Sequence, residues 1–366
     1  MKNKHIPWFK PKVGFREKEL VLKVIDSNYL NDGDYTRLFE KKVAELIGIK
    51  YCVAVTSGTA AISLALMGLG IGSGDEVIVP DLTFIATANA VRLAGASVRL
   101  VDIEPQRFTI DINAVIKNIN KRTKAIVPVD VNGRAANYEL LESVARKREL
   151  FLVCDATEGL GSKWKGRYLG TFGEAGCFSF SANKTVTTGQ GGMIATNNIK
   201  LYHRLLELKD QGRRSQGTGG NDLHPVMGFN FKLTNLQAAI GLAQLEELPK
   251  RLIKSKEREA WYRNALSNCD GLELPLLKNE AGEVTQWIDA LIDNRQKVES
   301  ILKKNNIGYR PFWYPLHTQK PYRLSGVELN NSSRVSSRGL WLPSNFNLTK
   351  KQVDYICSLI NAALKK

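Results

Sequence analysis

No run of about 18 uninterrupted apolar residues, the length a membrane-crossing helix needs, occurs in this chain. The first ten residues, MKNKHIPWFK, lack the apolar stretch of an export signal. Neither a membrane span nor export is expected. Paired cysteines are missing too. The five cysteines, at positions 52, 154, 177, 269 and 357, are odd in number and scattered, with no Cys-x-x-Cys pair. That argues against a disulfide framework and for a reduced, cytoplasmic setting. There is no basic tail, zinc-finger spacing or RNA-binding aromatic signature, so nucleic acid is not an expected partner. The net charge of +16 is spread along the whole chain. Its densest cluster, KRLIKSKER from Lys250, reads as the solvated face of a helix. A diphosphate-bearing small substrate would suit such a charge.

What the chain has is material for two cores: 366 residues, 43% of them hydrophobic. From Tyr51 to Asp155 short branched strands alternate with helices, including Tyr51–Val55, Val77–Val79, Val98–Val101, Ala125–Val129 and Leu150–Cys154. Such strands suit a sheet covered on both faces by helices, an α/β fold with a mostly parallel central sheet. A change of character near position 245 predicts a large unit over residues 1–245. A smaller C-terminal α/β unit follows over 246–366, with strands expected at Trp287–Ile292 and Tyr309–Trp313. A long polar, glycine-rich stretch, Gln211–Gly228, reads as a functional loop.

The chain is organised around GCFSFSANKTVTTGQGGM, from Gly176 to Met193. A buried strand delivers Lys184 into a polar turn, and a second strand leaves at once. Held there, the amine suits a nucleophile; alone, it could equally be an ordinary hairpin lysine. Ser57-Gly58-Thr59-Ala60 lies between a strand and an apolar helix. It reads as either a simple cap or a phosphate site on free first-turn N–H groups. Ser57, Phe84, Asp155 and Lys184 all fall at strand ends, where open α/β sheets place their sites. Together they suit pyridoxal phosphate: the lysine for its aldehyde, the carboxylate for its ring nitrogen, the helix start for its phosphate, and the aromatic for its ring face.

These motifs resemble the DegT/DnrJ/EryC1/StrS family of sugar aminotransferases, which have the aspartate-aminotransferase fold (type I). The likeness spans about residues 11–363. It includes GDEVIVP from Gly74, Thr83-Phe84-Ile85-Ala86-Thr87, KGRYLGTFG from Lys165, FSFSANKTVTTGQGGM from Phe178, GFNFKLTNLQAAIGLAQLE from Gly228 and RPFWYPLH from Arg310. The resemblance implies that Lys184 bonds the cofactor and shuttles the proton. It implies that Asp155 pairs with the ring nitrogen and that Phe84 stacks on the ring. Gly58, Thr59 and Ser179 would hold the phosphate. Asn230 would reach it from a neighbouring subunit, giving a homodimer with shared active sites. Lys232, Arg310 and His317 become candidates for the substrate's diphosphate and sugar.

Three departures stand out. Glu158 occupies a position where the family usually has glutamine, three residues after the aspartate and near the cofactor's O3′. Lys232 stands where an arginine is common, losing a bidentate fork. The loop before His224 lacks the usual Trp-His pair. Relatives that dehydrate the sugar carry histidine in place of the lysine, so Lys184 favours transamination. Asn-Lys followed by TTG-x-GG resembles the family's C4 enzymes, such as perosamine synthases. The implied reaction moves an amino group from L-glutamate to C4 of a nucleoside-diphosphate 4-keto-6-deoxyhexose, for surface polysaccharide. A C3 aminotransferase is the alternative enzyme. A PLP-binding or nucleic-acid-binding regulator is the alternative class, suggested only by the charge.

Overall fold

Alternate residues of the first strand enter opposite cores. Cys52 and Ala54 pack into one, Val53 and Val55 into the other. The same alternation separates Ile78 from Val77 and Val79, and Leu152 and Cys154 from Val153. A sheet buried on both faces needs apolar side chains at every position, so its strands read as continuous branched runs.

The computed structural model describes residues 5–214 and 222–365. In chain order the first helices and strands are α1 (Phe15–Asp26), α2 (Asp34–Ile47), β1 (Tyr51–Val55), α3 (Gly58–Gly68), β2 (Glu76–Pro80), α4 (Ala86–Leu93), β3 (Ser97–Val101) and α5 (Ile112–Asn118). There follow β4 (Thr123–Ile126), α6 (Tyr138–Lys147), β5 (Phe151–Asp155), a hairpin of β6 (Lys163–Trp164) and β7 (Arg167–Tyr168), β8 (Ala175–Ser179), β9 (Gly192–Thr196), α7 (Ile199–Lys209) and α8 (Asn235–Glu246). The C-terminal part comprises α9 (Leu248–Leu266), β10 (Leu272–Glu273), β11 (Ile288–Ile292), α10 (Arg295–Lys304), β12 (Arg310–Pro311), α11 (Asn330–Arg338), β13 (Gly339–Leu342) and α12 (Lys350–Leu364).

The large sheet has the order β1-β9-β8-β5-β4-β2-β3. β9 runs against both its neighbours, and every other pairing is parallel. The parallel strands therefore end on one edge, and the turn from β8 back into β9 opens there. α3 is apolar on nearly all sides and is buried accordingly, packed on β8, β9, α4 and α7. Capping boxes start α8 (Thr234 with Gln237) and α12 (Thr349 with Gln352), satisfying first-turn N–H groups.

The smaller sheet, β10-β11-β13-β12, is antiparallel throughout. Its core joins Ile288, Ala290 and Ile292 to Tyr262, Leu302 and Ile356. α9 bridges the units, with Leu248 in a large-unit core and Tyr262 in the small one. Between them lies an aromatic seam that includes Phe108, Trp287, Phe312 and Trp341. Buried ion pairs cross it: Arg134 with Asp289, and Arg107 with Glu283. All five cysteines are free and buried. Among the described residues, no helix is long and apolar enough to cross a membrane.

Several expectations change. The basic cluster is not a uniformly solvated face. Arg251 and Arg258 are buried, because carbonyls wait for them: Thr185 O accepts from Arg251 and Ser344 O from Arg258. The strand expected at Tyr309–Trp313 shrinks to Arg310–Pro311, since Pro311 brings no N–H to continue a ladder. β4 ends at Ile126 rather than Val129, although Val127 N still donates to Ile78 O at 2.8 Å and Val129 bridges to Asp155. Part of the loop expected over 211–228 lies outside the described residues; within the rest, His224 Nδ1 lies 2.8 Å from Gln211 O.

Candidate active site

The turn between β8 and β9 is fixed at several points. Phe180 N donates to Gly191 O at 2.8 Å, Thr188 N to Phe180 O at 2.9 Å and Lys184 N to Ser181 O at 3.0 Å. Thr185, next to the lysine, donates from its N–H to Gln286 Oε1 at 3.1 Å, and its carbonyl accepts from Arg251 Nη1 at 2.6 Å. Lys184 therefore leaves a rigid turn. Its Nζ lies 3.2 Å from Glu158 Oε1, with side-chain exposures of 11% and 5%. It also lies 5.2 Å from the centroid of the Trp287 ring. Glu158 is held at its other oxygen by Asn132 N, at 2.9 Å.

Asp155 closes β5, one strand away from β8 in the sheet. Thr87 Oγ1 donates to its Oδ2 at 2.7 Å and Thr157 N to its Oδ1 at 3.2 Å. Behind it Asp130 N donates to Asp155 O. The Asp130 carboxyl is pushed well above the usual carboxylate range by burial. The bonds from Tyr138 and Ala136 oppose that push, and the charges of Asp155 and Glu283 add to it.

Ser57 caps α3 and accepts from Ala60 N at 3.1 Å. The N–H groups of Gly58 and Thr59, in the first turn, have no intrahelical acceptor. A Cβ on Gly58 would lie 3.0 Å from both Ser179 Cβ and Thr157 Cγ2, so only glycine leaves the backbone open here. Ser57, Gly58, Thr59, Phe84, Asp155, Glu158, Ser179, Lys184 and Arg310 line one cavity of about 270 Å³. Phe84 is half exposed at its wall. These residues fit pyridoxal phosphate: free backbone donors and hydroxyls for an anion, a buried carboxylate for a ring nitrogen, and a lysine within reach of both.

Three other expected residues do not line that cavity. Lys232 is paired with Asp210. Asn230 is exposed and bridges to Asp210 through the backbone. His317 donates its N–H to Asp81 Oδ1 at 2.7 Å and sets Nδ1 2.6 Å from Asp81 Oδ2. Burial raises the Asp81 carboxyl despite those two bonds. The cavity also gathers Thr87, Asn183, Gln190, Trp287 and Trp313, which the sequence reading does not single out. Thr87 falls in the motif Thr83–Thr87 and could have been found there. Trp287 lies about a hundred residues from the lysine, ahead of a strand, and carries no local signal.

These contacts, on a sheet of this topology, make the protein a pyridoxal-phosphate-dependent enzyme of the aspartate-aminotransferase fold. Its cofactor cradle sets that class; the sequence as a whole sets the family. The chain belongs to the DegT/DnrJ/EryC1/StrS aminotransferase family, whose model matches residues 11–361. It is 37% identical to the GDP-perosamine synthase of Escherichia coli O157:H7 over 365 residues, covering 98% of each chain. It is 34% identical to the GDP-perosamine synthase of Vibrio cholerae, covering 97% of this chain and 98% of that one. Among solved structures it resembles DesI, determined in the presence of its TDP-sugar product. That match has a TM-score of 0.90 at 28% identity and covers 100% of this chain and 94% of the other.

Proposed function

We propose that this enzyme transfers an amino group from L-glutamate, by way of pyridoxal phosphate, to the C4 keto group of a nucleoside-diphosphate 4-keto-6-deoxyhexose. The product would be a 4-amino sugar nucleotide for surface polysaccharide, made in the cytoplasm. The observation that carries the chemistry is the pairing of Lys184 with Glu158 in the same cavity as Asp155 and the Gly58–Thr59 turn. The choice of C4 rests on the likeness to the two GDP-perosamine synthases.

When bound, the cofactor supplies an electron sink that acidifies the carbon carrying the amino group. The chain supplies the rest. Lys184 would take the proton from the amino donor's Cα and return it to the carbon on the far side of the nitrogen, two bonds away, acting as base and then acid on one face. Asp155 holds the ring-nitrogen proton, and Thr87 and Thr157 hold Asp155. Gly58, Thr59 and Ser179 would bind the phosphate, Phe84 would cover the ring, and Glu158 would be available to the phenolic oxygen. Arg310 faces the sugar nucleotide, with Lys232 and His317 engaging it only if they leave Asp210 and Asp81. Asn230 reaches the phosphate of a second subunit in a homodimer. The large unit is residues 1–245 and the small one 246–366.

The test is an assay of purified protein with L-glutamate and GDP-, UDP- or dTDP-linked 4-keto-6-deoxyhexoses. Product NMR should place the new amine at C4. An amine at C3, or no amino sugar from any of them, overturns the reading.

A further inference from the structure

Two residues of the small unit enter the lysine's surroundings without a part in the roles above. Gln286 and Trp287 stand immediately before β11. Gln286 Oε1 accepts from both the N–H and the hydroxyl of Thr185, at 3.1 and 3.3 Å. Trp287 lines the cavity and presents its ring to Lys184 Nζ at 5.2 Å. Neither residue is free to drift. Arg258 Nη2 donates to Gln286 O at 2.9 Å. Asn132, from the large unit, grips the Trp287 backbone twice: Nδ2 donates to Trp287 O at 2.7 Å, and Trp287 N donates to Oδ1 at 2.6 Å.

Asn132 is an unusual place for such a grip. It is fully buried and sits at φ 54°, ψ 37°, the left-handed region that asparagine tolerates better than most residues. Its own N–H holds Glu158 Oε2 at 2.9 Å. The indole and the carboxylate that flank the lysine amine are thus both set by this one residue.

We propose that Trp287 is a positioning residue for Lys184, and that the Asn132 side chain acts through it. The indole face lies within the roughly 6 Å over which an aromatic ring attracts an ammonium group. A long, flexible side chain is thereby kept beside Glu158 and aimed into the cavity. The proposal rests on Lys184 being the cofactor's lysine.

The experiment is the capture of cofactor by the full chain. Protein stripped of cofactor is mixed with pyridoxal phosphate in a stopped-flow instrument. The visible band reports the step in which the lysine amine replaces the aldehyde oxygen and water leaves. The concentration dependence separates the initial binding constant from the rate of joining. W287L should slow joining about tenfold, because a lysine no longer held beside the aldehyde meets it less often, with initial binding changed less than about twofold. W287F should recover most of that rate. N132G keeps a backbone that glycine adopts freely while losing the grip, so it should fold and be slow in the same step. The double variant N132G/W287L should be no slower than W287L, because the two losses are one.

Joining at the parent rate in W287L, or losses that multiply in the double variant, would overturn the proposal. So would a change in W287L confined to initial binding. If W287L fails to fold, N132G and W287F decide together: N132G slow in joining while W287F stays near the parent rate supports the proposal, and N132G at the parent rate, or W287F as slow as N132G, sinks it. K184A, measured alongside, must lose the band. If it keeps the band, the assignment of the lysine itself falls, and this proposal with it. Absence of turnover with sugar nucleotides would touch only the proposed substrate.

Discussion

Lys184 and Glu158 form an ion pair whose carboxylate is anchored from behind. Oε1 meets the amine at 3.2 Å while Oε2 accepts from Asn132 N at 2.9 Å. A carboxylate tied to the main chain cannot follow a moving lysine, so the amine has one defined place to return to when it leaves the cofactor.

Lys184→Ala should abolish the visible band of added pyridoxal phosphate and all turnover. In the parent, borohydride reduction should fix the cofactor to a single peptide containing Lys184. Mass spectrometry of the digest checks this, and label on a different lysine would remove Lys184 from its role.

Asp155→Asn should bind some cofactor yet turn over poorly, since an amide cannot hold the ring-nitrogen proton as a carboxylate does. Removing one partner of a buried charged pair costs roughly 3–5 kcal/mol. If that cost falls on the transition state, steady-state rates should drop by about two-hundredfold to five-thousandfold. An unchanged rate would take Asp155 out of the chemistry.

Asn230 is exposed and does not line its own chain's cavity, which suits a residue serving a neighbour. A mixture of inactive K184A with a strongly impaired N230W should regain activity, because one site of each heterodimer would be whole. Native mass spectrometry must first show that subunits exchange. Exchanged but inactive heterodimers would rule out the shared site.

Asp130 offers a pH test. Its carboxyl is raised by burial, so the folded chain binds a proton there that the unfolded chain has released above about pH 4. That contribution is complete below the unfolded value and is lost as pH rises through the folded one. Asp130→Asn keeps an oxygen for Tyr138 but cannot ionise. Thermal unfolding at matched cofactor should therefore show a shallower loss of stability as pH rises above about 4, the unfolded carboxyl's range. A slope equal to the parent's would mean that Asp130 does not titrate there.

Arg134 and Asp289 are both almost fully enclosed between the two units. Arg134→Met strands the Asp289 charge and should lower unfolding free energy by roughly 3–5 kcal/mol in urea. A loss under about 1 kcal/mol, the range of exposed pairs, would mean that water reaches Asp289.

The parallel strands were legible because most of their residues face a core, and Asp155 and Lys184 because they lie at or just after the ends of such strands. α11 and β13 were not. The NNSSRVSSR stretch has one apolar residue to bury, Val335, and its helix is anchored instead by Asp102, which accepts from Asn331 N and Ser332 N. That partner lies more than two hundred residues away. The same distance hides the fate of His317, whose Asp81 partner is 236 positions earlier. Motif reading placed Lys232 and His317 near substrate by residue type. It could not show that each already has a carboxylate partner. Trp287 escaped notice for the converse reason: its importance lies in contacts with Lys184 and Asn132, and nothing in its immediate neighbours announces them.

The five enclosed thiols make the protein its own clock. Burial raises those of Cys52, Cys154 and Cys177 well above the normal range, so they are withheld from reagents both sterically and as thiolates. Cys269 and Cys357 belong to the small unit's core, and the other three to the cores of the large sheet. A thiol-reactive dye added to the native enzyme would thus time the opening of each half separately, position by position, without any residue having to be engineered in.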